Sequence, residues 1–356
     1  MRRFLIICCT LSVTAIACQR SNSDSPNVPP QEEKELYIGQ QLPLNETLSK
    51  IAIGSCNRQD LDQVIWESIA AEQPDLWIWL GDNIYGDTED MQRLEEKYVM
   101  QKYSTLYGDF RKDTPVIGIW DDHDYGVNDG DKRFPKRAES QQLMFDFLDV
   151  PKDAPERSQE GAYQSYVFGT DDKQVKVILL DARYFRDELE KNDGYQRYKP
   201  NLTGDILGEA QWNWLREQLS TSEADIHFIA SGIQMIPEEQ GFEKWANFPE
   251  ARKKLLDLLA ETNPNNAILL SGDRHISEFS KIDWPGIEGG LYEFTSSGLT
   301  HSYSEFSGEP NEHRVGEVVF ERSFGVILID WSAATPKLSF QMKGVGGTLL
   351  QELELN

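Results

Sequence analysis

Residues 50–85 read KIAIGSCNRQDLDQVIWESIAAEQPDLWIWLGDNIY, and their pattern predicts the class of fold. Its two mostly apolar runs, 50–56 and 75–81, have the length and composition of buried β-strands. Between them, residues 61–71 carry apolar side chains at helical spacing. A strand, a helix and a second strand in this order predict a β-α-β unit, the building block of a layered α/β protein.

The same alternation of strands and helices continues along the chain. The sequence shows no internal repeat and no second linker, so residues 46–356 are predicted to form one α/β domain. The further predicted strands are 115–120, 163–168, 175–181, 225–231, 267–272, 289–294, 315–320, 325–330 and 338–342. The further predicted helices are 88–107, 136–148, 209–219 and 249–261.

The N terminus predicts export. Two arginines and a short apolar run, 4–13, lead to small residues and Cys18. This pattern is typical of a signal peptide at 1–17 and resembles a bacterial lipobox, in which Cys18 receives the lipid. An ordinary cleaved signal with an incidental cysteine is the alternative. Residues 18–45 are polar and predict a flexible tether. We therefore expect an exported bacterial lipoprotein, anchored to a membrane on the periplasmic or outer surface.

The composition argues against a nucleic-acid-binding surface. The chain has 60 acidic and 35 basic residues, a formal net charge of -25. A protein that binds phosphate backbones normally carries the opposite balance. Aspartates also concentrate in short clusters, as sites for hard cations require.

The cysteine count leaves one thiol in the domain. Cys8 and Cys9 leave with the signal peptide and Cys18 takes the lipid, so no disulfide is expected within the domain. Cys56 is then either an inert core residue or a chemical one. Its position at the end of the first strand, beside polar neighbours, favours thiolate ligation of iron or zinc.

Six polar motifs each follow a predicted strand directly. Ligand sites in α/β sheets gather at the carboxyl ends of the strands, so six such loops predict one site built from distant parts of the chain. The motifs are Gly54-Ser-Cys-Asn, Gly81-Asp-Asn-Ile-Tyr, Asp121-Asp-His-Asp, Asp181-Ala-Arg, Ser231-Gly-Ile-Gln and Gly272-Asp-Arg-His.

Asp82 and Tyr85 predict metal chemistry. A strand-end aspartate can bridge two cations with its two carboxylate oxygens, and a phenol three residues later can reach the same ion. Phenolate suits Fe(III), which keeps it deprotonated at neutral pH. In the alternative interpretation, Asp82 caps the turn and Tyr85 only packs.

The motif after the third strand predicts a second ligand and a proton donor. Asp122 fits a ligand of a second metal ion. His123 fits a residue that contacts a phosphate group or protonates a leaving oxygen. Asp124 or Asp121 would hold the tautomer of His123. A solvated polar turn is the alternative for all four residues.

The motif at 272–275 predicts further ligands. Asp273 and His275 are alternate residues, so on an extended loop both face one way and supply an oxygen and a nitrogen. Arg274 would then point away, toward a structural carboxylate. Gln234 would add a neutral oxygen ligand or a hydrogen bond.

Arg183 and Arg186 follow the strand at 175–181. Guanidinium groups bind phosphate bidentately and stabilise charge on its equatorial oxygens. The sequence therefore predicts that these arginines bind phosphate, with salt bridges to nearby acids as the alternative for each.

These motifs, from about residue 51 to residue 340, resemble the alkaline phosphatase D (PhoD-like) family of the calcineurin-like metallophosphatase superfamily. The resemblance rests on Gly-Ser-Cys-Asn, Gly-Asp-Asn-Ile-Tyr, Trp-Asp-Asp-His-Asp, Leu-Asp-Ala-Arg and Ser-Gly-Asp-Arg-His, in this order. It implies a four-layer αββα sandwich of two mixed β-sheets flanked by helices. It also implies Fe(III) with one or more divalent ions, Ca²⁺ first, with Zn²⁺ or Mn²⁺ as alternatives.

The resemblance also implies a role for each site residue. The metal ligands would be Cys56, Asp82, Tyr85, Asp122, Asp273 and His275. The first three of these fall on the iron side, with Asp82 in the bridging position. The catalytic residues would be His123 and Arg183. Substrate contacts or supporting positions would be Asn57, Asp121, Asp124, Arg186 and Gln234. The Asp-x-His that usually opens the superfamily's site is absent, and Cys56 stands in that region.

The expected function is metal-dependent hydrolysis of phosphate monoesters or diesters. A metal-activated hydroxide would attack phosphorus, Arg183 would offset the growing charge, and His123 would assist the leaving alkoxide. A phospholipase C-type phosphodiesterase and a cysteine hydrolase using Cys56 with His123 are the alternatives. A solute-binding lipoprotein would normally have two lobes, and the sequence shows no boundary between lobes.

Overall fold

The computed structural model describes residues 39–170 and 173–355. The strands are β1 (Lys50–Gly54), β2 (Leu76–Leu80), β3 (Val116–Ile119), β4 (Gln164–Phe168), β5 (Val175–Leu179), β6 (Ile226–Ser231), β7 (Ala267–Ser271), β8 (Ser277–Ile282), β9 (Leu291–Thr295), β10 (Arg314–Val319), β11 (Ser323–Asp330), β12 (Lys337–Gly344) and β13 (Leu349–Leu355). The helices are α1 (Ile65–Ala71), α2 (Met91–Lys102), α3 (Thr105–Asp113), α4 (Asp122–Tyr125), α5 (Arg137–Phe147), α6 (Gly208–Ser220) and α7 (Pro249–Thr262).

The strands form two mixed sheets. The first has the order β13-β12-β11-β1-β2-β3 and the second the order β10-β8-β9-β7-β6-β5-β4. In the first sheet β1, β2 and β3 run parallel, and in the second β5, β6, β7 and β9 do so. Parallel neighbours end at the same edge of a sheet, so the loops that follow these strands lie side by side.

Helices cover the outer face of each sheet, which completes an αββα sandwich. Trp66 of α1 packs against Trp77 and Trp79 of β2, with ring centroids 4.9 and 5.2 Å apart. On the opposite side, α6 and α7 bury their apolar faces on β5, β6 and β7. Between the sheets, Phe294 of β9 meets Phe340 of β12 at a centroid distance of 6.1 Å. The predicted fold class is confirmed.

The structure differs from the sequence prediction at three elements. The helix predicted at 88–107 is α2 followed by α3, because the extended backbone of Ser104 separates them. The sequence does not predict β8, whose polar residues resemble a loop but are buried and paired, such as Glu278 with Arg314 at 2.8 Å. The edge strand β13 is likewise absent from the predicted set.

The predicted signal peptide and Cys18 lie outside the described residues, as does most of the predicted tether. From residue 39 onward the chain contacts the domain. Gln40 donates its backbone N–H to the carbonyl of Arg111 at 3.2 Å, and Leu42 packs against the core. Within 39–170 and 173–355, no helix is long and apolar enough to cross a bilayer.

Candidate metal centre

The six loops predicted to share one site do meet at one edge of the molecule. The loops after β1, β2, β3 and β7 supply its acidic, histidine and cysteine side chains. The loop after β5 reaches them through Arg183, whose Nε donates to Asp121 Oδ1 at 2.6 Å. Gly232 after β6 and Gly81 after β2 both lie against Asp121 so closely that a Cβ at either position would overlap it. Only glycine permits this approach.

Asp82 lies at the centre of the cluster. Its Oδ2 is 3.4 Å from Cys56 Sγ and 3.3 Å from the hydroxyl of Tyr85. Its Oδ1 accepts a hydrogen bond from the backbone N–H of His123 at 3.3 Å. The candidate ligands form two groups, which are the two halves of the site, and Asp82 belongs to both. A carboxylate shared between two cations must have such a position.

One half of the site combines sulfur, nitrogen and oxygen donors. Cys56, Asp82 and His275 each offer a ligand atom within 4.8 Å of the other two. The hydroxyl of Tyr85 lies 2.9 Å from His275 Nε2, at the edge of the same group. A thiolate, an imidazole and a phenolate are ligands for iron or zinc rather than for calcium.

The other half of the site consists of carboxylates. Asp82, Asp121, Asp122 and Asp273 offer oxygens that all lie within 4.8 Å of one another. Oxygen-only groups of this kind suit hard divalent cations. The sequence does not assign His275, Asp122 and Asp273 to one metal ion or the other. In the structure, His275 lies with Cys56, whereas Asp122 and Asp273 lie with the other carboxylates.

Four of these candidate ligands have a left-handed backbone conformation. Cys56, Asp82, Asp273 and His275 have φ values of 60°, 50°, 66° and 55°. Non-glycine residues rarely adopt the left-handed region, and functional sites are where such strain persists. The extended loop predicted for 273–275 is therefore wrong. The left-handed turns send the two side chains into different halves of the site.

Burial of so many acids requires compensating charge. Burial and the neighbouring Cys56 raise the pKa of Asp82 well above its usual range, and burial with the charge of Asp122 raises the pKa of Asp273 to about 7. Asp121 Oδ2 is buried and has no hydrogen-bond partner among the described residues. Carboxylate oxygens left in this condition fit metal ions, which supply the missing positive charge.

Cys56 and Tyr85 also require a cation to ionise. Burial, with the charge of Asp273, raises the pKa of the Cys56 thiol to about 12. Burial, with the charge of Cys56, raises the pKa of Tyr85 well above its usual range. Thiolate and phenolate forms at neutral pH therefore depend on coordination to a metal ion.

His123 stands at the rim of the cluster. Its Nδ1 lies 2.8 Å from Asp87 Oδ1, and its ring stacks on Tyr85 at a centroid distance of 4.1 Å. Burial alone would lower the pKa of His123, but the charges of Asp82 and Asp122 and the contact with Asp87 raise it to about 11. A carboxylate accepts hydrogen bonds, so the contact with Asp87 places a proton on Nδ1. A ring nitrogen of His123 also lies within 4.8 Å of carboxylate oxygens of Asp82 and Asp122.

The prediction that Asp121 or Asp124 orients His123 is wrong, because Asp87 does so. Asp124 instead ties the loops together: its carboxylate accepts the backbone N–H groups of Asp82, Asn83 and Asp121 at 3.2, 3.2 and 2.7 Å. Asp87 lies two residues after the motif at 81–85 and has a φ of 46°. The sequence pattern does not reveal its contact with His123.

Residues 51–324 match the PhoD-like phosphatase family. The chain belongs to this family. The resemblance inferred from the motifs is therefore confirmed. Alkaline phosphatase D of Bacillus subtilis (strain 168) is 24% identical over an alignment of 275 positions, which covers 65% of this chain and 46% of that protein. The chain spans about half the length of the curated relative that it matches.

Solved structures share the fold of this PhoD-like chain. The structure of PhoD has a TM-score of 0.69 at 18% identity and covers 89% of this chain and 70% of that one. A dimetal phosphatase from Danio rerio has a TM-score of 0.54 at 12% identity and covers 87% of this chain and 99% of that one. At identities this low, the structural similarity shows a common fold and no more than that.

In this PhoD-like site, Arg183 does not face the substrate. Its side chain is completely buried, with Nε on Asp121 and Nη1 on Glu243 Oε2 at 2.6 Å. Arg186 is equally buried and forms an ion pair with Glu243 at 3.0 Å. Both arginines form the salt bridges to nearby acids that the sequence offers as the alternative to phosphate binding. This corrects the catalytic role predicted for Arg183, whereas Arg186 takes the supporting position that is one of its two predicted roles.

Two amide side chains predicted at the site support it from behind. Gln234 donates to Glu278 and Thr295 at 2.8 and 2.9 Å, so it forms hydrogen bonds and is not directed at the metal cluster. Asn57 donates to the carbonyl of Asn83 at 3.3 Å. Its buried oxygen has no partner among the described residues.

A cavity of about 320 Å³ opens above the metal cluster. Its floor contains Asp122, Asp273, His123 and His275. Its walls include residues that the sequence does not single out, namely Arg197, Tyr198, Phe242, Glu243 and Tyr303. Arg274 also lines it, although its guanidinium pairs with Glu309, as the sequence predicts for a structural carboxylate. Pocket walls depend on distant loops meeting, which motif spacing does not predict.

Proposed function

We propose that the protein hydrolyses phosphate esters, monoesters or diesters, at a centre of two or more metal ions. The observation that carries the proposal is the position of Asp82 in both halves of a buried ligand cluster, beneath a pocket whose floor includes His123. Membership of the PhoD-like phosphatase family supports it. The match to a relative named alkaline phosphatase D supports it further.

We propose Fe(III) for the half with Cys56, Tyr85 and His275, and Ca²⁺ for the carboxylate half, with Zn²⁺ or Mn²⁺ as alternatives. The donor types support this division, since soft and phenolic ligands face one ion and hard oxygens the other. When bound, such ions neutralise phosphate charge and lower the pKa of a water molecule from about 15.7 to about 7.

The protein side chains then have distinct tasks. Asp82, held by Asp124 through its backbone N–H, spaces the two halves. Arg183 pairs with Asp121 and holds its carboxylate in place beside them. His123, oriented by Asp87, presents Nε2 to the pocket and donates a proton to the leaving alkoxide oxygen. Proton donation to the leaving group is typical of a positioned histidine.

The geometry does not favour a cysteine hydrolase. A nucleophilic cysteine needs a base within hydrogen-bond reach and access to substrate. Cys56 is completely buried, accepts a hydrogen bond from Ser297 at 3.0 Å, and has no hydrogen bond to His123 among the described residues. A phospholipase C-type phosphodiesterase uses the same kind of centre and remains a substrate question within the proposal.

The direct test is metal analysis of the purified protein together with a panel of phosphate monoesters and diesters. We expect iron and a divalent ion in the protein, and hydrolysis that is abolished by chelation and restored by adding the metals back. Hydrolysis that survives complete removal of metal would contradict the proposal.

Tyr85→Phe tests the iron assignment. An Fe(III)–phenolate pair absorbs visible light, so the oxidised protein should be coloured and the Tyr85→Phe variant should lose that band. The fold should survive, since only one hydroxyl is removed. Tyr292→Phe, on β9 and outside the pocket, is the matched control and should keep the colour. A colourless, iron-free and fully active wild type would defeat the assignment.

We also propose that Cys18 anchors the protein to a membrane. The support is the lipobox-like junction at Ala17-Cys18 and the polar stretch that follows it. Cys18→Ser should release the protein from the membrane fraction or block its maturation, because the lipid acceptor is gone, without changing the specific activity of the domain. Unchanged partitioning in a membrane fractionation would show that Cys18 is not the anchor.

A further inference from the structure

The pocket contains one arginine that has no ion-pair partner in the part of the chain that the structure describes. Arg197 is exposed and lines the same cavity as Asp122 and His123. Within residues 39–170 and 173–355, no carboxylate lies within 4.0 Å of its guanidinium nitrogens. In a chain with 60 acidic and 35 basic residues, an arginine beside an acidic pocket that remains unpaired requires an explanation.

The nearby acids are all engaged elsewhere. Glu243 pairs with Arg183 and Arg186, and Asp129 accepts the hydroxyl of Tyr198. The aspartates of the floor belong to the metal cluster. The positive charge of Arg197 is therefore available to an anion that enters the pocket from solvent.

The guanidinium of Arg197 is held in position by an aromatic ring. Its central carbon lies 3.9 Å from the centroid of the Phe242 ring. Arg274 lies over the same ring at 4.3 Å, but its charge is matched by the nearly buried Glu309. A cation–π contact restricts a side chain that would otherwise sample many rotamers, so less entropy is lost when it binds.

The backbone around Arg197 is fixed as well. Its N–H donates to the carbonyl of Gly241 at 2.9 Å, and its carbonyl accepts the N–H of Asn192 at 2.7 Å. The preceding residue, Gln196, accepts a hydrogen bond from the buried Lys244 at 2.9 Å. These hydrogen bonds fix the backbone of the loop that carries Arg197 at the pocket wall.

We propose that Arg197 is the arginine that binds the phosphate group of the substrate, and that it favours monoesters over diesters. The inference rests on the proposed hydrolytic function. A guanidinium presents two parallel N–H groups that match two phosphate oxygens. A monoester dianion has more negative charge and more free oxygens for the guanidinium than a diester monoanion has, because a second oxygen of the diester is part of an ester bond.

Arg197→Gln is the decisive variant. We expect the KM for an aryl phosphate monoester to rise about 10- to 100-fold, the usual effect of losing a hydrogen-bonded charge, with a smaller change for the matching diester. The Kd of inorganic phosphate, measured calorimetrically on the metal-loaded protein, should rise by a similar factor. Metal content should not change, because Arg197 is not a ligand.

Three further variants separate phosphate binding from general effects. Arg197→Lys should recover part of the loss, since it keeps the charge but not the fork. Phe242→Leu should raise the same KM by only a few-fold, because it loosens the guanidinium without removing it. Lys199→Gln removes an equal charge from the same loop, where Lys199 pairs with Glu190, and should leave all constants unchanged.

The outcomes are distinguishable. Unchanged phosphate Kd in Arg197→Gln would overturn the proposal, and so would loss of bound metal in that variant, which would indicate a structural role. Equal losses for monoester and diester would overturn the stated preference. If the wild type hydrolyses neither ester, the proposed function fails, while the phosphate titration still decides whether Arg197 binds the anion.

Discussion

Asp82→Asn should empty the metal centre and abolish hydrolysis. The change removes a charged oxygen from between the two halves of the site, where Asp82 lies 3.4 Å from Cys56 and 3.3 Å from Tyr85. Losing a group that only supports a ligand typically costs about 10- to 100-fold in affinity or activity, so losing the shared ligand should cost more. Metal analysis and turnover of a phosphate monoester measure the two effects.

The matched control is Asp330→Asn. Asp330 also ends a strand, but it lies on the surface of β11 and accepts a hydrogen bond from the backbone N–H of Ser332. The same chemical change there should leave metal content and activity intact. An Asp82→Asn protein that retains its full complement of iron and divalent ion would refute the bridging role.

Asp82→Asn should destabilise the metal-loaded protein, whereas it should stabilise the protein from which the metals have been removed by chelation. In the metal-free fold, burial raises the pKa of Asp82 above its usual range, so the carboxylate resists ionisation. A raised carboxyl pKa stabilises the fold at low pH, and this contribution is lost as the pH rises through the folded-state value. The chelated wild type should therefore melt at a lower temperature at pH 8 than at pH 5. The melting temperature of chelated Asp82→Asn should fall less between these two pH values.

His123→Ala should reduce turnover by about 10²- to 10⁴-fold while the metals stay bound, which is the usual contribution of a general acid. The loss should shrink for nitrophenyl esters, whose leaving groups need little protonation. Kinetics on an alkyl and a nitrophenyl monoester, with metal analysis of each preparation, measure this difference. His313→Ala, which changes a histidine outside the pocket, is the control.

Asp87→Asn extends the test to pH dependence. The contact with Asp87 helps to raise the pKa of His123, so its removal should lower that pKa. The activity on alkyl esters should then decline at a lower pH, because His123 loses its proton earlier. Bound cations also oppose the rise in the pKa of His123, and this narrows the pH range of the activity further. If His123→Ala empties the site, His123 is a ligand; if it leaves alkyl-ester turnover unchanged, the proton-donor role is wrong.

The sequence predicted the architecture and most of the side chains that cluster at the candidate site, because both depend on short-range patterns. Strand and helix periods are local, and a ligand placed one or two residues after a strand lies at a predictable edge of the sheet. Cys56, Asp82, Asp122 and Asp273 were accessible in this way. The same locality explains the failure at β8, whose polar residues are buried only through partners such as Arg314.

The tertiary structure alone decided which side chains work together. Tyr85 meets His275 across 190 residues, and Arg183 turns inward to Asp121 and Glu243. Arg197 lies at the pocket wall with no ion-pair partner among the described residues. Such pairings depend on how two sheets stack and on left-handed turns at the strand ends, which periodicity does not encode. An arginine's partner is chosen by the charges that folding brings within about 4 Å, and no local pattern contains that distance.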